Sequence, residues 1–154
     1  MLRVQHAPAE LEVLTILSDP FVLALPAAHP LADRRRVRLR SVAGDPFVMF
    51  AEQSAPLLSD RVQAMCRQAG FTPDVVQHAT QIHTVVGLVG AGLGVAVVPA
   101  SGRNLHPRQV RFVQIADKAE PVHVALAWRR GHETPAIRSF RKVTQDVVAG
   151  LDEA

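Results

Sequence analysis

Apolar residues recur along this chain in two alternating rhythms. Short runs rich in β-branched or aromatic side chains occupy residues 11–17, 21–25, 47–50, 75–79, 95–98, 110–115 and 122–128, and each reads as a strand. Between them lie segments with apolar residues at helical spacing. The first, 56–69, lines up Leu58, Val62, Met65, Cys66 and Ala69 on one stripe. It ends on clear stop signals: Gly70 at C′, Phe71 as the apolar contact after it, and Pro73 beyond. The second runs from Thr80, as its N-cap, to Ala91 and carries Ile82, Val85, Val86 and Val89. The third begins at Thr134 with Pro135 at N1 and directs Ile137, Phe140, Val143, Val147 and Val148 inward. Strands alternating with helices over short connections predict an open α/β sheet with right-handed crossovers. In such sheets a small molecule binds outside the carboxyl ends of the strands, near helix N-termini. Two places meet that description: FAEQSAP after 47–50 and HATQIH after 75–79.

The glycine-rich stretch VVGLVGAGLGVAVVPA raises the question of a phosphate-binding loop. A dinucleotide site needs strand, glycines, then helix, so that the helix N-terminus faces the pyrophosphate. Here the order is reversed: the helical pattern precedes the glycines and the strand at 95–98, stopped by Pro99, follows them. The spacing also matches neither phosphate-loop pattern, and no Lys follows. Gly92 is therefore expected at a helix C′ position with Leu93 folding back on the last turn, and 95–98 as a strand buried on both faces.

At 154 residues and 48% hydrophobic content the chain supports one real core or two small subdomains sharing a cleft. No run is apolar and long enough to span a bilayer, and MLRVQHAPAELEV has no signal-peptide h-region. The single cysteine, Cys66, fits a reducing compartment, so a cytoplasmic location is expected. The net charge of +3 is concentrated in DRRRVRLR, at Arg34, Arg35, Arg36, Arg38 and Arg40. Such a run can contact nucleic acid, but its place between two strand patterns favours a solvated connection. Residues 62–86 also admit a helix-turn-helix reading with AGFTP as the turn. Val75 and Val76 prefer a strand, and the helix that Thr80 and Gln81 reopen leaves too short a recognition element.

Catalytic constellations are lacking. His78 and His83 have no Cys or carboxylate at ligand spacing, so no metal site is expected. Ser54 and Ser101 lack a nucleophile elbow and an activating pair. Acidic residues are scattered through turns and helix starts, where they serve caps and dipoles, and Cys66 lies on an apolar stripe as a core filler. What remains is ligand recognition without a cofactor. Glu52, Gln53 and Ser54 precede Pro56 at a helix start, whose N–H groups and dipole suit a carboxylate; Ser54 can also simply cap that helix. Thr80 and Gln81 can cap or can reach a cleft walled by Ile82.

Taken in order, FVLALPAAHPLA, DPFVMF with QSAP, CRQAGFTP, QIHTVVGLVGAGLGVAVVPAS and VHVALAWRR resemble the effector-binding domain of LysR-type transcriptional regulators. The likeness covers nearly the whole chain and is nearest to the branch sensing aromatic compounds and their carboxylate breakdown products. It implies a periplasmic-binding-protein-like (type II) fold: a Rossmann-like lobe with a mixed, mainly parallel sheet flanked by helices, plus the remnant of a second lobe. Within an effector-binding fragment spanning 1–154, residues 19–129 would form a near-complete second lobe, and 1–18 and 130–154 pieces of the first. It further implies effector contacts at Gln53, Ser54, Leu57, Leu58, Thr80, Gln81 and Ile82, pairing into a homodimer or larger assembly, and DNA contact only through an N-terminal domain absent from this stretch, as in a truncated regulator. A sensor module without catalysis is the leading expectation. The competing readings are a transporter's solute-binding protein, a small enzyme on the same scaffold, and a ligand-free oligomerisation fragment.

Overall fold

The strands and helices expected from the pattern all form, and two short strands join them. The computed structural model describes residues 2–4, 9–105 and 107–152. Of the two terminal stretches expected to be first-lobe pieces, residues 1, 5–8, 153 and 154 lie outside the described residues. In chain order the elements are β1 (Leu2–Val4), β2 (Leu11–Asp19), β3 (Phe21–Pro26), β4 (Arg36–Val37), β5 (Pro46–Phe50), α1 (Pro56–Gln68), β6 (Asp74–Ala79), α2 (Ile82–Gly90), β7 (Ala96–Pro99), β8 (Val110–Ile115), β9 (Val122–Arg129) and α3 (Pro135–Asp152). Short 3-10 turns cover Leu39–Val42 and Ala100–Leu105.

The chain divides into two compact units, Pro20–Glu120 and the pair Met1–Asp19 with Pro121–Ala154. The second boundary falls at Glu120, so residues 121–129 belong with the terminal segments, because β9 pairs on both sides with β1 and β2.

In the Pro20–Glu120 unit the strands run in the order β4-β8-β3-β7, with β5-β6 beside them. Val95, just before β7, joins the two groups: its N–H donates to the Pro46 carbonyl at 2.8 Å and its own carbonyl accepts from Val48 N–H at 2.9 Å. The bridge is parallel, as are β5 with β6 and β4 with β8, whereas β3 is antiparallel to both β7 and β8. All strands but β3 therefore point the same way, which makes the sheet mixed and mainly parallel. Its centre reads as continuous apolar runs because both faces are covered. Leu23, Ala24, Leu25, Ala96 and Val98 are fully buried, and each such leucine contributes roughly 1.5–3 kcal/mol by leaving water.

Both inner helices end as their glycines predict. Gly70 and Gly92 hold φ of 84° and 83°, a region that favours residues without Cβ. Around them Gly70 N–H donates to Arg67 O and Phe71 N–H to Cys66 O, while Gly92 N–H donates to Val89 O and Leu93 N–H to Leu88 O. This paired pattern closes a helix on an αL residue. Phe71 then packs on Phe47, ring centroids 5.9 Å apart. Gly94 has a different role: a Cβ there would lie 2.2 Å from the Pro46 carbonyl oxygen, so only glycine lets β5 and the start of β7 pair. Gly92 and Gly94 of the glycine-rich stretch thus each have a structural role.

The other unit is an antiparallel sheet of order β1-β9-β2 with α3 against β2. Across it, Trp128 Nε1 donates to Glu12 Oε2 at 3.1 Å, and the Arg141 guanidinium lies 5.7 Å from the Trp128 ring centroid. The expectation that α3 turns its whole apolar stripe inward is corrected. Ile137 and Val148 are half-buried with Arg141 and Thr144, but Phe140, Val143 and Val147 are 59%, 58% and 58% exposed. The two sets form adjacent stripes at three- and four-residue spacing. The first lies toward this sheet, and of the second Phe140 borders a groove with Leu126 and Trp128 of β9.

Candidate functional site

Strand order locates the site more sharply than the strands alone. β5 and β7 are neighbours, yet from β5 the chain passes through α1 to β6 on one side, and from β7 it passes toward β8 on the other. Their carboxyl ends therefore bound a topological switch point, where open α/β sheets bind ligands. Around this edge stand the 51–55 turn, the start of α1, residues 80 and 81 with the start of α2, and the 3-10 turn Ala100–Leu105. Two backbone bonds hold the edge together: Ala51 N–H to Ala79 O at 2.9 Å and Ala100 N–H to Pro20 O at 2.7 Å.

The 51–55 turn is closed by Ala51 O, which accepts from Ser54 N–H at 3.1 Å and from Ala55 N–H at 2.9 Å. Glu52, Gln53 and Ser54 are consequently exposed at its tip. Because the turn consumes one more residue before the helix, Ala55 is the N-cap of α1, not Ser54, and no side chain caps it. Leu57 is half-buried beside the edge, whereas Leu58 points into the core with Val62, Met65 and Cys66. At the second turn, the expected cap at Thr80 is likewise corrected. The backbone stays extended through Gln81, at φ −130° and ψ 146°, so Gln81 is the N-cap and α2 begins at Ile82, again without a side-chain cap. Thr80 and Gln81 are exposed and Ile82 is half-buried.

Asp117 serves a helix start in the expected way, accepting Leu39 N–H at the head of the Leu39–Val42 turn, but neither α1 nor α2 has an acidic residue in its first turn. Side-chain oxygens and carboxylates are what normally satisfy the leading N–H groups and the positive dipole end. Without them, the start of α2 in particular offers N–H donors and positive potential to an external anion, flanked by apolar Leu57 and Ile82. The third wall, Ala100–Leu105, is the part that sequence reasoning missed. The signal existed, since the strand-end rule applies to 95–98 as well as to 47–50 and 75–79, but only the order β5-β7 makes that end central.

Other candidates resolve into structure. Cys66 is fully buried; burial pushes its thiol up to about 11, partly opposed by Arg67, so it is a poor nucleophile at neutral pH. Among the described residues no group of His, Cys, Asp or Glu could hold a metal ion, and no helix is long and apolar enough to cross a membrane. The five arginines of the basic run are exposed. Their segment is more than a polar connection: Arg36–Val37 forms β4, Val37 and Leu39 are buried, and Asp117 accepts Leu39 N–H at 2.7 Å. The 62–86 region contains the paired strand β6, which removes the helix-turn-helix reading.

Compared with known protein families, residues 1–149 match the LysR substrate binding domain. The HTH-type transcriptional regulator AlsR of Bacillus subtilis is 33% identical over 136 residues, 88% of this chain and 44% of that protein. The Hca operon transcriptional activator HcaR of Escherichia coli is 32% identical over 142 residues, 92% of this chain and 48% of that protein. The chain thus spans less than half the length of these curated relatives. In three dimensions it is similar to the BenM effector binding domain with its effector benzoate, at TM-score 0.82 and 19% identity, covering 99% of this chain and 69% of that one. It is also similar to the effector binding domain of QuiR in complex with shikimate, at TM-score 0.76 and 22% identity, covering 96% and 69%. These last two likenesses concern the fold.

Proposed function

The chain belongs to the LysR substrate-binding domain family, and from that membership we propose that it is the effector-sensing part of a LysR-type transcriptional regulator, taking a small aromatic or carboxylate metabolite. The observation that carries the reading is the pair of helix starts, at α1 and α2, that face one sheet edge with neither a capping side chain nor an acidic residue. A carboxylate completes them, and an aromatic body suits Leu57 and Ile82. Benzoate and shikimate, held by the structural neighbours, are both carboxylates. Gln53, Ser54, Thr80 and Gln81 supply polar contacts from the exposed turns, and Leu58 supports Leu57 from the core.

The reading is one of binding, not catalysis, in keeping with relatives that are transcriptional regulators. Occupancy shifts a conformational population that, in an intact regulator, alters how DNA-binding segments are presented. Such a regulator works in the cytoplasm, and DNA contact belongs to its helix-turn-helix segment. Residues 20–120 act as the near-complete lobe. The exposed stripe on α3 favours self-association, and it also favours one second reading: an oligomerisation module without a ligand.

A thermal-shift titration with benzoate, shikimate and a set of dicarboxylates separates the two. Ligand at a hundredfold excess over Kd stabilises a fold by about 2.7 kcal/mol. The expected result is a saturable rise in Tm for at least one acid, diminished in Gln53→Ala and Ser54→Ala. Since the Ser54 side chain does not cap α1, that variant leaves the unliganded Tm unchanged. A folded chain that responds to none of these acids is the oligomerisation module.

A further inference from the structure

We infer that Gly102 sets the upper size of ligand this site accepts, by leaving room for the Ile82 side chain to lie back against the 3-10 turn. The inference rests on the effector-binding reading above. Gly102 is buried within Ala100–Leu105, beyond the carboxyl end of β7. It is not among the glycines with positive φ, so space and not conformation is what glycine provides here.

An added Cβ at Gly102 would lie 3.2 Å from Ile82 Cδ1, 3.6 Å from Ile82 Cγ1 and 3.5 Å from Val98 Cγ2. The first distance is tighter than carbon atoms normally approach, and something must give. Val98 is fully buried in the central part of the sheet and cannot. Ile82 is half-buried, and its Cδ1 is the far end of a rotatable side chain. A methyl group at position 102 therefore displaces Ile82 away from the turn, toward the exposed start of α2 where the ligand is placed. The α2 backbone, with Val85, Val86 and Val89 locked in the core, stays where it is. Gly102 is a positioning residue: it acts on the ligand only through Ile82.

The test is the affinity of the chain for benzoate and its 4-methyl and 4-tert-butyl derivatives, measured by titration calorimetry on wild type, Gly102→Ala, Ile82→Val and the double variant. Gly102→Ala is expected to weaken the larger benzoates by about ten-fold or more relative to benzoate itself, the scale on which one methylene is discriminated in an apolar pocket. Ile82→Val removes Cδ1, so alone it moves the size limit upward, and combined with Gly102→Ala it restores the wild-type order. That rescue is what a general packing defect would not produce, and Ile82→Val carries the test should Gly102→Ala fail to fold. Equal weakening of all three acids by Gly102→Ala, or an unchanged size limit in Ile82→Val, overturns the inference while leaving the effector reading intact. A folded wild type that binds none of the three, and no other carboxylate, overturns both.

Discussion

Arg40 closes the carboxyl end of α1 at Gly70: its Nη1 donates to the Gly70 carbonyl at 3.4 Å and to the Ala69 carbonyl at 3.3 Å. A cation at that position satisfies terminal carbonyls and opposes the negative end of the helix dipole, a contribution of about 0.3–1 kcal/mol at an exposed site. Two arginines of the basic run thus have backbone partners, since Arg36 Nη2 also donates to the Ala116 carbonyl at 3.4 Å. Arg40→Ala should lower stability by that amount in urea denaturation, while Arg34→Ala and Arg35→Ala stay within about 0.5 kcal/mol of wild type. Equal effects from all three would show that the helix end does not depend on Arg40.

Gly94 should be the least replaceable glycine of the 90–94 stretch. A Cβ there meets the Pro46 carbonyl oxygen and carbon, at 2.2 Å and 2.8 Å, and backbone in a sheet cannot move as a side-chain tip can. Gly94→Ala should therefore separate β5 from β7 and cost more than about 3 kcal/mol, the range of severe packing defects. Gly92→Ala meets nothing within 4 Å and bears only the αL penalty of about 1–2 kcal/mol. Comparing the two by chemical denaturation checks the order; a smaller loss for Gly94→Ala would contradict the close approach.

Cys66 should be protected from thiol reagents. Its thiol is buried and held up to about 11, above its ordinary value of 9.0, so it stays protonated through the neutral range. Reaction with an aromatic disulfide reagent at pH 8 should be slow in the folded chain and fast in denaturant. The folded state holds this proton more tightly than the unfolded state does. Its contribution to stability is therefore full below pH 9 and is lost as the pH rises toward 11. Rapid labelling of the native protein at pH 8 would contradict the burial.

The exposed stripe of α3 should drive self-association. Phe140, Val143 and Val147 are each more than half exposed, and contiguous apolar surface of this kind favours association. Light scattering after size exclusion should give a homodimer or larger species for wild type at micromolar concentration. Val143→Lys should shift it toward monomer with little change in Tm, because that side chain contributes little to the core. A wild type that is monodisperse and monomeric would exclude this role for α3.

Much of the architecture was legible locally. Gly70 with Phe71 and Pro73, and Gly92 with Leu93, mark helix ends because an αL residue is needed wherever such a helix turns back, whatever surrounds it. Runs such as 21–25, 95–98 and 110–115 declare strands by composition. The two turns of the candidate site follow from a rule about strand ends, and the family likeness rests on motifs kept in order along the chain.

Pairings between distant residues decided the rest. The reversal of β3, the adjacency of β5 and β7, and hence the place of the Ala100–Leu105 wall depend on which strands lie side by side, and periodicity along one strand carries no record of its neighbour. The N-caps moved from Ser54 and Thr80 to Ala55 and Gln81. The bonds at this edge cross between turns: Ala51 donates to Ala79 and itself accepts from Ser54 and Ala55. Gly102 looks like any loop glycine until Ile82 is placed against it. For α3, helical spacing identified every apolar side chain but not which of them would find a partner. By itself the sequence determined the longer elements, the glycine-marked carboxyl ends of α1 and α2, and the family, since those depend on local conformational cost and on residue identity in order. Strand order, the switch point and the exposed helix face were decided by tertiary structure, because each is set by contacts between segments far apart in the chain.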